Sequence, residues 1–96
     1  MAFTERFSRT LFGGGARSTL GYAVFFNSDT SVQYVDGATK IFASAEGLAP
    51  RMTMALYPER MTVGSSDGPM LGDEGLRQMV LERVRGAGRF LGWNFG

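Results

Sequence analysis

Between Leu20 and Val63 the apolar side chains tend to recur at every second residue, and after Gly72 the repeat lengthens to that of a helix. A period of two belongs to a strand with two unlike faces, whereas a period of 3.6 belongs to an amphipathic helix. In the first run Leu20, Tyr22, Val24 and Phe26 share one face and Gly21, Ala23 and Phe25 the other. Asn27-Ser28-Asp29 interrupts the run with turn-forming residues. Val32 and Tyr34 resume it, Asp36-Gly37 supplies a hairpin turn, and Ile41 with Phe42 or Ala43 opens the return strand. After Pro50, Met52, Met54 and Leu56 face one way while Arg51, Thr53, Ala55 and Tyr57 face the other. Pro58 predicts a corner, followed by a fifth, shorter strand at Met61 and Val63.

The segment from Asp73 to Gly88 carries Leu76, Met79, Val80, Val84 and Ala87 on one face and Arg77, Glu82, Arg85 and Arg89 mainly on the other. Asp73 and Glu74 at its start and Arg83, Arg85 and Arg89 near its end suit the helix dipole, and Asp73 is spaced to pair with Arg77. Gly86 and Gly88 mark its last turn, and the alternation of Leu91, Trp93 and Phe95 predicts a short closing strand. The expected fold is therefore α+β: an antiparallel β-meander of four to five strands and one C-terminal amphipathic helix, forming a single domain over residues 20–96. Ahead of it, Phe3, Phe7 and Leu11 at i, i+4, i+8 predict a short helical arm within residues 1–19, hinged at Gly13-Gly14-Gly15.

One helix covers one face of such a sheet, yet Phe25, Phe26, Tyr34 and Phe42 put aromatic groups on both. The second face needs a cover, from the arm, the tail, a second copy or another protein.

Composition narrows the chemistry. With no cysteine and no histidine in 96 residues, disulfides, thiol catalysis, cysteine-ligated metals and histidine-dependent triads are excluded. Asp73-Glu74 stands at a helix start, where the dipole favours the ionised carboxylates and suits capping rather than acid catalysis. Glu46, Glu59 and Asp67 lack the spacing of a cation loop, and no cofactor is expected. The run Gly13–Thr19 lacks the GK[ST] of a phosphate-binding loop and precedes a strand instead of a helix. Lys40 is the only lysine among ten basic residues, and a net charge of +1 argues against nucleic acid as a partner. No stretch reaches the roughly 18 to 20 apolar residues of a membrane span. The arginine-bearing start is faintly like a transit peptide, against which stand Glu5 and the scant apolar content.

Three portions of the chain carry a family resemblance. YVDGATKIFASAE has a hydrophobic strand, an Asp-Gly turn and a strand ending in Glu46. MALYPERMTVGSSDGP has a strand with Tyr57 and a loop containing Pro69. LGDEGLRQMVLERV with FLGWNF has an acid-opened helix and an aromatic close. In this order, from Val35 to Phe95, they resemble the small immunity proteins of bacterial polymorphic toxin systems, specifically the immunity protein 74 family. Val63-Gly64 stands where that pattern has a Trp, and residues 1–19 have no counterpart. The resemblance implies a non-enzymatic cytoplasmic protein that binds and blocks one cognate toxin domain; it transfers no site residues.

The expected function is thus a non-catalytic protein-binding module with one protein partner, a toxin domain or a second copy of the chain. Trp93, Phe95, Arg85, Arg89 and Tyr57 are its candidate contact residues, because aromatic residues and arginine are enriched at interface hot spots. The alternative is a self-associating structural domain, with residues 1–12 exchanged across the glycine hinge.

Overall fold

The computed structural model describes residues 5–10, 14–28, 31–48, 53–65 and 67–93. Six strands form one antiparallel sheet in simple sequence order: β1 (Phe7–Arg9), β2 (Gly15–Ser18), β3 (Tyr22–Ser28), β4 (Ser31–Asp36), β5 (Thr39–Leu48) and β6 (Thr53–Val63). A helix, α1 (Glu74–Phe90), follows. The α+β meander with a C-terminal helix is as expected, but the sheet has more strands than the four to five predicted.

Register sorts the side chains by face. Tyr22, Val24 and Phe26 of β3 stand opposite Asp36, Tyr34 and Val32 of β4, and Tyr34 and Val32 in turn stand opposite Ile41 and Ala43 of β5. All of these except Asp36 are buried, and with Ala16, Ala45, Met61 and Leu71 they form the sheet side of the core. From α1, Val80, Leu81, Val84 and Ala87 complete it. Asp73 caps the helix, its Oδ1 accepting from the Leu76 amide at 3.0 Å. Arg77 does not pair with Asp73; its guanidinium donates to the Leu71 carbonyl at 2.6 Å, which ties the incoming loop to the first helical turn.

The predicted helical arm is corrected to a strand. A spacing of four is even, so Phe7 keeps its place on the apolar side of a strand as readily as on a helix, and a ten-residue helix is marginal alone. Pairing with β2 satisfies the backbone instead: the Thr19 amide donates to the Arg6 carbonyl at 2.9 Å and the Thr10 amide to the Gly15 carbonyl at 3.1 Å. Phe7 then packs on the helix, its ring 5.7 Å from that of Phe90 and within 3.6 Å of where a Cβ on Gly86 would stand. Phe3 and Leu11 lie outside the described residues.

Two other boundaries differ. β6 runs through Pro58, and the irregularity appears as a bulge in which Ala43 alone stands opposite residues 58–61. Pro58 is tolerated because β6 is the edge strand and is bulged there. Residues 61–63 are covered on their outer side, where the Val63 amide donates to the Pro69 carbonyl and the Leu71 amide to the Met61 carbonyl, each at 2.9 Å.

At the other end, Gly86 and Gly88 do not stop the helix. Gly92 does, at φ 99°. The Trp93 amide donates back to the Gly88 carbonyl at 2.8 Å and the Gly92 amide to the Arg89 carbonyl at 3.1 Å, the two bonds of a Schellman cap. Residues 91–93 are therefore a helix cap where a closing strand was expected, and residues 94–96 lie outside the described ones.

Candidate interaction face

The helix takes the core side of the sheet. The opposite side carries Arg17 and Gly15 of β2, Ala23 and Phe25 of β3, Gln33 and Val35 of β4, and Lys40, Phe42, Ser44 and Glu46 of β5, matched across the strands by register. Ala55 and Tyr57 of β6 join them through Glu46 and Ser44. Phe25, Val35, Phe42 and Tyr57 are half-buried and lie outside the core cluster. Among the described residues the only helix packs on the other face, and β1 and Trp93 pack with it. Arm and tail, the two intramolecular covers the sequence offers, thus go to the core side as far as they are described.

Local chemistry shapes this face. The Phe25 ring lies across Gly15, where a Cβ would come within 2.7 Å of Phe25 Cδ1 and of Thr10 Oγ1, so the glycine makes room for the aromatic. Tyr57 donates its hydroxyl proton to Glu46 Oε2 at 2.8 Å, and Arg60 stacks its guanidinium 5.2 Å from the ring centre. The Glu46 bond and its charge push the Tyr57 phenol above the ordinary tyrosine range. A shallow cavity of about 350 Å³ opens between Arg17, Gly21, Ala23, Phe25, Val35 and Gly37. A second, of about 280 Å³, adjoins it and is lined by Arg6, Phe7, Ser8, Arg17, Ser18 and Thr19.

The helix side holds a polar network at the same end of the sheet. Arg83 Nη1 donates to the Tyr34 hydroxyl at 2.6 Å and pairs with Asp36 Oδ2 at 3.4 Å, and its guanidinium lies 4.5 Å from the centre of the Tyr22 ring. Tyr34 donates to Asp36 Oδ2 at 3.0 Å. Glu5 accepts from both the Ser18 and Tyr22 hydroxyls. Burial, reinforced by the bond to Glu5, pushes the Tyr22 phenol far above its ordinary value. Burial also raises Tyr34, although the bond from Arg83 works against it. Phenols so held keep their protons at neutral pH and cannot serve as bases. The network ties the N-terminal segment, the neighbouring strands and the helix together. Among the described residues no three acidic side chains converge as a metal site.

The five sequence-chosen contact residues are not brought together. Tyr57 lies on the open face. Arg85 is half-buried and Arg89 exposed on α1, and Trp93 is half-buried against the core at the helix cap, so all three belong to the helix layer. Phe95 lies outside the described residues. Arg6, Arg17, Phe25, Val35 and Arg60, which residue type alone does not single out, also belong to this face. Phe25 and Val35 were legible from strand parity, whereas Arg6 and Arg17 join the face only once β1 and β2 are known to be strands.

No family model matches this chain, and no curated protein or solved structure matches it.

Proposed function

We propose that the chain is a non-catalytic protein-binding module and that the open face of its sheet is the binding surface. One observation carries this reading: Ala23, Phe25, Val35, Phe42 and Tyr57 form an aromatic and apolar surface on the side of the sheet away from α1, the only helix among the described residues. Apolar surface of this kind is energetically favourable to bury, at about 25 cal/mol per Å², and aromatic groups anchor interfaces. The resemblance to immunity proteins gives the finer proposal, in which the partner is a bacterial toxin domain held inactive by the contact.

The test is co-expression with the product of the adjacent gene. Co-purification that is lost in Phe42→Ala and Tyr57→Ala proteins of unchanged fold, together with rescue of cells from that product, supports the proposal. A chain that neither binds nor rescues refutes it. Self-association is the weaker reading. In that reading β1 and Phe7 would make on a second copy the contacts they make here with β2 and α1.

A further inference from the structure

The charges are not shared evenly between the two sides. At the β1–β4 end the carboxylates point to the helix side: Glu5 is bound to Ser18 and Tyr22, and Asp36 to Arg83 and Tyr34. The open side of the same end presents Arg6 and Arg17 around the adjoining cavities, with Lys40 exposed beyond Val35. None of these three has an ion-pair partner among the described residues. Carboxylates return only at the far edge, where Glu46 bonds Tyr57, and Glu59 and Arg60 lie near the same ring. One end of the face is therefore basic, with an apolar floor of Ala23, Phe25 and Val35, and the other is mixed in charge.

Building on the open face as the binding surface, we infer that the partner is an acidic protein surface whose Asp or Glu side chains seat between Arg6 and Arg17 while an apolar neighbour enters the cavity floored by Phe25 and Val35. Guanidinium groups fit carboxylates in a two-pronged geometry, and a half-apolar surround strengthens such bonds. A second copy set basic end to basic end is disfavoured by like-charge repulsion, and set basic end to mixed end it meets a Glu46 already engaged by Tyr57. Single-stranded nucleic acid needs free aromatic faces for base stacking. Here the Tyr57 ring is taken by Arg60, and the Phe25 ring leans on the backbone at Gly15.

The test uses three probes on the full chain: a random Glu–Tyr copolymer, a Lys–Tyr copolymer and a poly(U) oligonucleotide. Binding is followed by fluorescence anisotropy and by amide shifts in two-dimensional NMR. The expected result is binding of the Glu–Tyr copolymer, with shifts at Arg17, Phe25 and Val35, weakening as salt rises from 50 to 200 mM. Reversal in the Arg6→Glu/Arg17→Glu protein should cost at least about tenfold, and reversal on the helix in Arg85→Glu/Arg89→Glu less than about twofold. Amide dispersion in each variant reports its fold. Equal binding of both copolymers at the open face, insensitive to the reversal, overturns the acidic partner and leaves the sheet face standing. Shifts confined to α1 overturn both. Absence of Glu–Tyr binding overturns the inference, and tighter binding of poly(U) makes the ligand a nucleic acid.

Discussion

Replacing Arg83 by Met should loosen the helix from the sheet, because Arg83 is the side chain through which α1 enters the polar network. Three interactions are lost. The bond to the Tyr34 hydroxyl, at 2.6 Å from a charged donor, is worth about 1.5–3 kcal/mol. The stacking over Tyr22 at 4.5 Å adds about 0.5–2 kcal/mol. The pair with Asp36 adds little: at 3.4 Å, with the Asp36 side chain 45% exposed, solvent holds it below about 1 kcal/mol. The three share one guanidinium and do not add. Met retains much of the aliphatic stem, so the expected loss is about 2–3 kcal/mol. Tyr34→Phe keeps the ring, tilted with its centre 5.5 Å from that of Tyr22, and deletes only the hydroxyl, for about 1–2 kcal/mol.

Because both substitutions break the same bond, the double variant should lose about 1–2 kcal/mol less than the sum of the singles. Urea unfolding at pH 7 measures this, as midpoint shifts at constant slope. Raising the salt to about 0.5 M should change the Arg83→Met loss by less than about 0.5 kcal/mol, since only the exposed Asp36 pair is screened. Additive single losses would refute the claim that the Arg83–Tyr34 bond supports the fold. An Arg83→Met loss under about 0.5 kcal/mol would show that the apolar contacts hold the helix alone.

Tyr22 and Tyr34 both titrate above their unfolded value near pH 10, so the stability they contribute is complete below about pH 10 and is lost as the pH climbs past it. Thermal midpoints should be flat from about pH 7 to 9 and fall above 10, with a smaller fall in Tyr22→Phe; an unchanged fall would refute the assignment. In the loop, a Cβ on Gly68 would come within 2.0 Å of the Val63 carbonyl oxygen, whereas one on Gly72 meets nothing within 4 Å. Gly68→Ala should therefore cost about 2 kcal/mol or more by urea unfolding, while Gly72→Ala stays within about 0.5 kcal/mol. Val84→Ala, at a residue 1% exposed, should cost about 2–3 kcal/mol, whereas Phe42→Ser on the open face should cost under about 1 kcal/mol. Equal costs would mean that the open face is packed like the core.

What sequence could reveal here was what local chemistry decides. Parity in β3 and β4 sorted Tyr22, Val24, Phe26, Val32 and Tyr34 to one side, Asp36-Gly37 marked a turn that the structure makes with Gly37 at φ 60°, and Asp73 was recognisable as a cap. Phe7 was ambiguous because an interval of four fits strand and helix alike, and what decides it is contact with Tyr22, Gly86 and Phe90 far along the chain. The Tyr34–Arg83 bond spans 49 positions and Tyr22–Glu5 spans 17, so neither leaves a local pattern. Arg85, Arg89 and Trp93 stand out by residue type, which carries no information about which side of the sheet an element ends on.

The same limit applies to charge. A net charge of +1 argues against long-range recruitment of an anionic partner only if that partner sees the whole molecule at once. Glu5 and Asp36 are engaged on the helix side, Glu5 by the Ser18 and Tyr22 hydroxyls and Asp36 by Tyr34 and Arg83. A surface approaching the open face therefore meets Arg6, Arg17 and Lys40 first. Strand parity, which puts Asp36 with Tyr22 and Tyr34 on the helix side and Arg17 with Ala23 on the other, thereby also sets the sign of the open face at this end. Removing Asp36 or Glu5 should weaken the fold without altering what the open face attracts, whereas reversing Arg17 should do the opposite. Urea unfolding and copolymer anisotropy on Asp36→Asn, Glu5→Gln and Arg17→Glu separate the two effects, and parallel losses in both measurements would show that fold and binding face are not independent.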